Sequence, residues 1–436
     1  MENVRVGVIG LGNMGIYHSE YLLNGDIQRA TLTAVADVSP ARLERFKEVR
    51  TFTAPTDLIR SGVVDAVLIA TPHYFHTTIG IEALEQGLHV LVEKPVSVHK
   101  GDAAKLLAAH TNDAQVFAAM FNQRTDAHFR RIKELIEGGE LGQLQRVQWT
   151  ITDWFRTEAY YASSGWRATW KGEGGGLLIN QCPHQLDLLQ WLCGMPARVR
   201  AFCGLGRRHQ IEVEDEVTAY LEYVDGATGV FIASTGEVPG TNRLELAGDR
   251  GKLVFEGGKL TFARNETGTA EFCQSSPEPF GKPAVEECEI PVQEGGGTHQ
   301  EVTQNFVDAI LDGAPLIAPA SEGVRSVELA NAMLYSSLCD VTVELPLDAQ
   351  AYEELLNGLI ANSTVEKRVV ETAAADIRVF SVRGGVASQT RDAAEDAQAR
   401  PCARGAVTCH PRACASSENT VSALSPISGQ FRLPKS

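Results

Sequence analysis

No uninterrupted apolar run in the 436 residues reaches the ~18–20 that a bilayer-spanning helix needs, so an integral helical membrane protein is excluded. The N-terminus, Met1-Glu2-Asn3, enters a strand-like run without the build of a signal peptide, and a cytoplasmic chain is the expectation. Positive charge is also short, with 39 basic against 55 acidic side chains and a formal net charge of -16. Such a balance repels phosphate backbones and anionic lipid surfaces, so neither nucleic acid nor a membrane is an expected partner. The nine cysteines form no paired framework. Thiols in a reducing compartment are therefore expected, not a disulfide scaffold. What the chain does have is 44% hydrophobic residues, enough for one or two ordinary cores.

Short apolar runs alternate with helix-like segments through the first third. The runs are Val4–Gly10, Thr31–Asp37, Asp65–Thr71, His89–Glu93 and Gln115–Asn122, and apolar residues three and four apart fill Thr77–Gln86 and Ala103–His110. This pattern predicts an α/β unit over residues 1–124, a doubly wound parallel sheet of the Rossmann kind. Beyond it, Phe129–Glu137 reads as one helix. Alternating strands then dominate, as in Gln145–Asp153, Arg198–Cys203, Glu216–Tyr223 and Thr228–Ser234. Further helices are expected over Gln181–Leu192, Thr298–Leu311 and Val324–Leu338. Residues 125–348 are thus expected to form an α+β domain with a large, mostly antiparallel open sheet, and 349–371 a helical extension. From residue 372 periodicity disappears, and 372–436 is expected to be a mobile tail. Its Cys402, Cys409, His410 and Cys414 lack the close Cys pairs of structural zinc sites, so no metal is expected.

Gly10-Leu11-Gly12-Asn13-Met14-Gly15 follows the first strand directly and opens a helix. In that setting the first glycine permits a tight turn, the second admits a pyrophosphate to backbone N–H groups, and the third lets helix and sheet approach. Asp37 ends the second strand about twenty residues later, where a carboxylate binds adenosine ribose hydroxyls and repels a 2′-phosphate, favouring NAD over NADP. A helix N-cap role is the alternative for Asp37, although Ser39 stands ready for it, and Arg42 could reach a phosphate. Thr71-Pro72-His73 and Glu93-Lys94-Pro95 also lie at carboxyl ends of strands, where ligands of open α/β sheets collect.

These residues together resemble the glucose-fructose oxidoreductase / inositol dehydrogenase / rhizopine-catabolism (Gfo/Idh/MocA) family of NAD(P)-dependent oxidoreductases. The resemblance spans roughly residues 4 to 348 and is carried by Gly10–Gly15, by Glu93-Lys94-Pro95 and by the block from Gly174-Gly175-Gly176 to Pro183-His184-Gln185-Leu186-Asp187. It implies that Lys94 sits beside nicotinamide and substrate, and that His184 is the histidine of an Asp-x-x-x-His pair whose aspartate place Asn180 occupies. It further implies that Thr71, Pro72, His76, Glu93, Asn122 and Arg167 line the cofactor, and that Arg124 and Trp166 approach the substrate. A homo-oligomer, dimer or tetramer, is the usual assembly.

Oxidising a secondary alcohol needs a base for the hydroxyl proton while hydride leaves carbon for nicotinamide. The expected function is accordingly an NAD-dependent dehydrogenase acting on CH–OH of a sugar, inositol or glycoside. His184 suits the base and Lys94 the stabiliser of alkoxide charge, with the reverse division open. Helical spacing would put Asn180, His184 and Asp187 on one face, making Asp187 a candidate substitute for the missing carboxylate or simply a locally bonded residue. Trp154, Tyr160, Tyr161, Trp166 and Trp170 form an aromatic-rich stretch suited to sugar faces or to core packing, and the loop Arg156–Lys171 is the expected seat of specificity. Two other uses of the same architecture remain: a glycosidase or lyase that retains NAD and oxidises a ring carbon transiently, and a non-catalytic dinucleotide sensor.

Overall fold

The computed structural model describes residues 2–293, 295–365, 367 and 369. The tail expected to be mobile, with its Cys402, Cys409, His410 and Cys414, lies outside them, as do residues 366, 368, 370 and 371. Strands β1 (Val4–Ile9), β2 (Ala30–Ala36), β3 (Arg50–Phe52), β4 (Ala66–Ile69), β5 (His89–Val92) and β6 (Phe117–Ala119) form one sheet in the order 3-2-1-4-5-6. Every pairing in it is parallel. Parallel strands covered by helices on both faces must be apolar on both faces, and β4 and most of β1 are buried throughout. The order reverses between β1 and β4, so a crevice opens beyond their carboxyl ends.

A second sheet of nine strands comprises β7 (Leu144–Ile151), β8 (Arg198–Leu205), β9 (Glu214–Glu222), β10 (Thr228–Ser234), β11 (Asn242–Gly248), β12 (Gly251–Glu256), β13 (Lys259–Asn265), β14 (Val285–Glu289) and β15 (Val343–Glu344). Its order is 14-13-12-11-7-10-9-8-15, antiparallel except where β10 meets β7. Alternation decides its faces. Val217, Ala219 and Leu221 of β9 and Val199 and Ala201 of β8 join a core shared with the helices Pro183–Cys193 and Ala320–Cys339, while Phe202 and Tyr220 point away and stay exposed.

One predicted element starts differently. The chain makes a single π turn over Leu177–Gln181, and regular helix begins only at Pro183, whose missing N–H suits a first helical position. The cause is buried beneath it: the Glu214 carboxylate of β9 accepts the N–H groups of Gly176 (3.0 Å) and Leu178 (2.8 Å). Asn180 and His184 therefore do not share one regular helix, whereas His184 and Asp187, three residues apart, both lie within Pro183–Cys193.

Candidate active site

The turn after β1 is built as a dinucleotide cradle. Gly10 has φ +91°, and a Cβ on Gly15 would fall 1.7 Å from the Gly10 carbonyl oxygen, so neither position accepts a side chain. A Cβ on Gly12 would meet nothing within 4 Å, which leaves open space above the N-terminus of helix Asn13–Leu23. No side chain caps that helix, and its first N–H groups remain free for an anion. Asp37 is held in place by the N–H groups of Leu11 (2.6 Å) and Ser39 (2.8 Å), with the Arg42 guanidinium 3.4 Å away. The carboxylate thus stands at the lip of the glycine turn. Ser39 occupies the N-cap position of the next helix but makes no side-chain cap bond. Buried Thr71 Oγ1 and His73 Nδ1, just past the end of β4, have no protein partner. Open space, an uncapped helix start and unpartnered buried polar atoms together fit a bound NAD.

Lys94 leaves the end of β5 and its Nζ donates to the backbone carbonyl of Asn180 at 2.8 Å. That bond ties the first sheet to the π turn from which the His184 helix departs. Burial depresses the Lys94 pKa, the adjacent Glu93 carboxylate opposes that shift, and the Arg167 guanidinium adds to it. His184 is buried, rests edge-on against Phe121 (5.9 Å between centroids) and keeps Nδ1 without a protein partner. Burial pushes its pKa well below the usual histidine value, and the Lys94 and His299 charges push the same way. A neutral imidazole with a free nitrogen lies within electrostatic reach of an ammonium group. Those are the parts a proton acceptor and an alkoxide stabiliser require.

Around them, Arg167 donates to the Tyr160 hydroxyl (2.6 Å), lies over the Tyr160 and Trp166 rings, and has Glu173 at 3.8 Å. Trp166 packs edge-on against His73, 5.3 Å between centroids. Of the five aromatic residues singled out from sequence, Tyr161 and Trp170 are core, whereas Trp154, Tyr160 and Trp166 are half-buried.

Two family models match the chain: the oxidoreductase family's NAD-binding Rossmann fold over residues 4–121, and the GFO/IDH/MocA C-terminal domain over residues 129–254. Together they span more than half of it. The chain belongs to the Gfo/Idh/MocA family. Among this family's members, it is 27% identical over 265 residues to myo-inositol 2-dehydrogenase of Thermotoga maritima, a match covering 58% of this chain and 75% of that protein. It is 24% identical to levoglucosan dehydrogenase of Pseudarthrobacter phenanthrenivorans across 79% of this chain and 99% of the other. The WlbA dehydrogenase of Bordetella pertussis, solved with NADH and UDP-GlcNAcA, superposes with a TM-score of 0.66 at 25% identity, over 79% of this chain and all of that one. The protein is an NAD-binding oxidoreductase of the Gfo/Idh/MocA family. Among its described residues no helix is long and apolar enough to cross a membrane, and no group of three His, Cys, Asp or Glu could hold a metal ion.

Four residues that the family resemblance placed at cofactor or substrate, Arg124, His76, Glu93 and Asn122, have partners within the protein. Arg124 was expected at the substrate, yet its Nε and Nη2 each donate to Asp187 at 2.7 Å and its Nη1 bonds the Ile317 carbonyl (3.1 Å) and Glu322 (2.5 Å). With 1% of its side chain exposed, it is a structural cation. Asp187 is for the same reason unable to replace a carboxylate at position 180. His76 is fully buried, each ring nitrogen 2.8 Å from a backbone carbonyl, of Pro95 and of Thr71, so it braces the two strand ends. The Glu93 carboxylate faces inward, bonded to His18 (2.7 Å) and to the Lys94 N–H (3.0 Å), and its pKa is drawn down to about 2, burial being outweighed by the His18 contact. Asn122 spends its amide N–H on the Gly297 carbonyl (2.5 Å) but keeps a buried, unpartnered Oδ1.

Sequence reasoning missed two groups. One is the buried chain Glu93–His18–Tyr21–Thr303, with bonds of 2.7, 2.8 and 2.6 Å, which supports Lys94 from behind. The other is Glu173, whose only sequence signal is an acidic residue placed directly before Gly174–Gly176.

Proposed function

We propose that the protein oxidises a secondary hydroxyl of a cyclic polyol, sugar or glycoside, with hydride passing to NAD. NAD, when bound, supplies the hydride acceptor. Lys94 holds the reacting oxygen and offsets its developing negative charge. His184 takes the hydroxyl proton at its nitrogen, for which its burial-depressed pKa keeps it unprotonated at neutral pH. The observation that carries this reading is the bond from Lys94 Nζ to the Asn180 carbonyl, which brings the lysine of β5 to the turn preceding His184. Asp37 at the lip of the glycine turn supports a preference for NAD over NADP. Thr71, Pro72 and Asn122 Oδ1 suit the cofactor, and Trp166 and Arg167 the mouth of the substrate space. Relatives named for inositol and levoglucosan oxidation support a cyclic polyhydroxy substrate. Residues 1–124 and 125–348 would act as cofactor and substrate domains. The exposed Phe202 and Tyr220 on the second sheet suit a face between copies of this chain.

The test is a panel of inositols, aldoses and anhydrosugars offered with NAD and then NADP, followed by NADH absorbance. Reduction by a polyhydroxy ring, faster with NAD, is expected. Reduction by none of them would overturn the reading.

A further inference from the structure

Glu173 is 1% exposed, yet the proposed chemistry gives it no part. Its two oxygens are committed in different directions. Oε2 accepts the Ala168 N–H at 2.6 Å, which anchors the carboxylate to the loop carrying Arg167. Oε1 accepts the side-chain amide of Asn180 and faces the Arg167 guanidinium at 3.8 Å. Asn180 is the same residue whose backbone carbonyl receives Lys94. A carboxylate, an amide, a carbonyl and an ammonium group therefore follow one another across a single residue, and Lys94 lies within electrostatic reach of Glu173.

We propose that Glu173 is the positioning residue for Lys94: it clamps the Asn180 side chain so that the Asn180 carbonyl faces Nζ, and it places a second negative charge, besides that of Glu93, beside a lysine that also faces the Arg167 and Arg156 guanidinium groups. The inference deepens the dehydrogenase reading above but does not need a substrate for its test. Asn180 carries no charge and can only orient, so the carboxylate the site requires comes from seven residues earlier in the chain. The other groups within reach of Glu173 are Arg167, Lys367, Tyr161, Glu214 and His73. Of these, Glu214 is bonded to the N–H groups of Gly176 and Leu178, and Tyr161 to Thr235 (2.8 Å).

The experiment reads the titration of Lys94 in the NAD-bound protein, from the pH dependence of its reductive methylation followed by mass spectrometry of the Lys94 peptide. Glu173→Gln removes the charge and preserves the shape. Lys94 is then expected to titrate about one pH unit lower than in the parent protein, the size of shift that losing a nearby opposite charge produces. The exchange variant Glu173→Gln/Asn180→Asp, which moves the carboxylate to position 180, is expected to return the titration towards that of the parent. If Glu173→Gln does not fold, Glu173→Asp is read in its place: it keeps the charge but withdraws it from Asn180, and the Lys94 titration is expected to fall in the same direction. A Lys94 titration unchanged by Glu173→Gln, or by Glu173→Asp where that is the variant read, overturns the proposal, as does an exchange variant that restores nothing. Shifts as expected in a protein that oxidises no polyhydroxy ring would sink the dehydrogenase reading and leave the positioning role standing.

Discussion

Lys94 Nζ and the backbone carbonyl of Asn180 lie 2.8 Å apart, joining residues 86 positions distant in sequence. The contact holds a cation at the end of β5 beside the turn that leads to His184. Replacing Lys94 by Ala should therefore lower kcat by roughly two to four orders of magnitude, the range expected when a group acting on the reacting oxygen is lost. The glycine turn lies on a different strand, so NAD affinity measured by fluorescence quenching should stay within a few-fold. Loss of NAD binding in parallel with turnover would assign Lys94 to cofactor binding alone.

Asp37 should set cofactor choice. Asp37→Ala removes the acceptor for the ribose hydroxyls and frees Arg42, now 3.4 Å from the carboxylate, to meet a 2′-phosphate. The ratio of kcat/KM for NADP to that for NAD should rise at least about tenfold. An unchanged ratio would place the discrimination elsewhere.

Arg124 should matter for stability. Its pairing with Asp187 is 1% exposed on both sides, and removing one partner strands a buried charge. Arg124→Ala is expected to cost about 3–5 kcal/mol in urea denaturation, with KM for substrate little changed in the protein that remains folded. A small stability loss with a large rise in KM would instead return Arg124 to the substrate site.

Acid should destabilise the fold from near pH 6.5 downward. His299 is held by burial at a pKa of about 4, partly opposed by Glu93, and His184 and His73 are depressed in the same direction, chiefly by burial. A histidine that binds its proton more weakly folded than unfolded contributes its full stability above ~6.5, and loses it as pH falls towards the folded value. For His299 that interval is worth about 3 kcal/mol. Glu93, drawn down to about 2, contributes in full above its unfolded value and loses that contribution as pH falls towards 2. The midpoint of thermal unfolding should fall steadily between about pH 6.5 and 4, and less steeply in His299→Gln. A flat profile in the parent protein would contradict buried neutral histidines.

The glycine turn, the strand-ending lysine and the apolar parallel strands were legible because each is a local pattern: Gly10–Gly15 needs only its neighbours to be interpreted. The three-residue β3 carried too little pattern to be singled out, and two of its three residues are exposed. Pairings such as Arg124 with Asp187 or His18 with Glu93 join residues 63 and 75 positions apart, and charge alone did not reveal them. Arg124 and Asp187 accordingly looked available for substrate and catalysis when they are spent on each other. The π turn was hidden for a related reason, since its shape is imposed by Glu214 from another strand and not by the propensities of Leu177–Gln181.

Hydride origin is the most direct measure of the central claim. A cyclic polyol or sugar deuterated at every ring carbon, incubated with NAD and the protein, should yield NADH carrying one deuteron by mass spectrometry, with the yield collapsing in Lys94→Ala and in His184→Ala. Deuterium-free NADH, no NADH at all, or undiminished transfer in both variants would contradict the account.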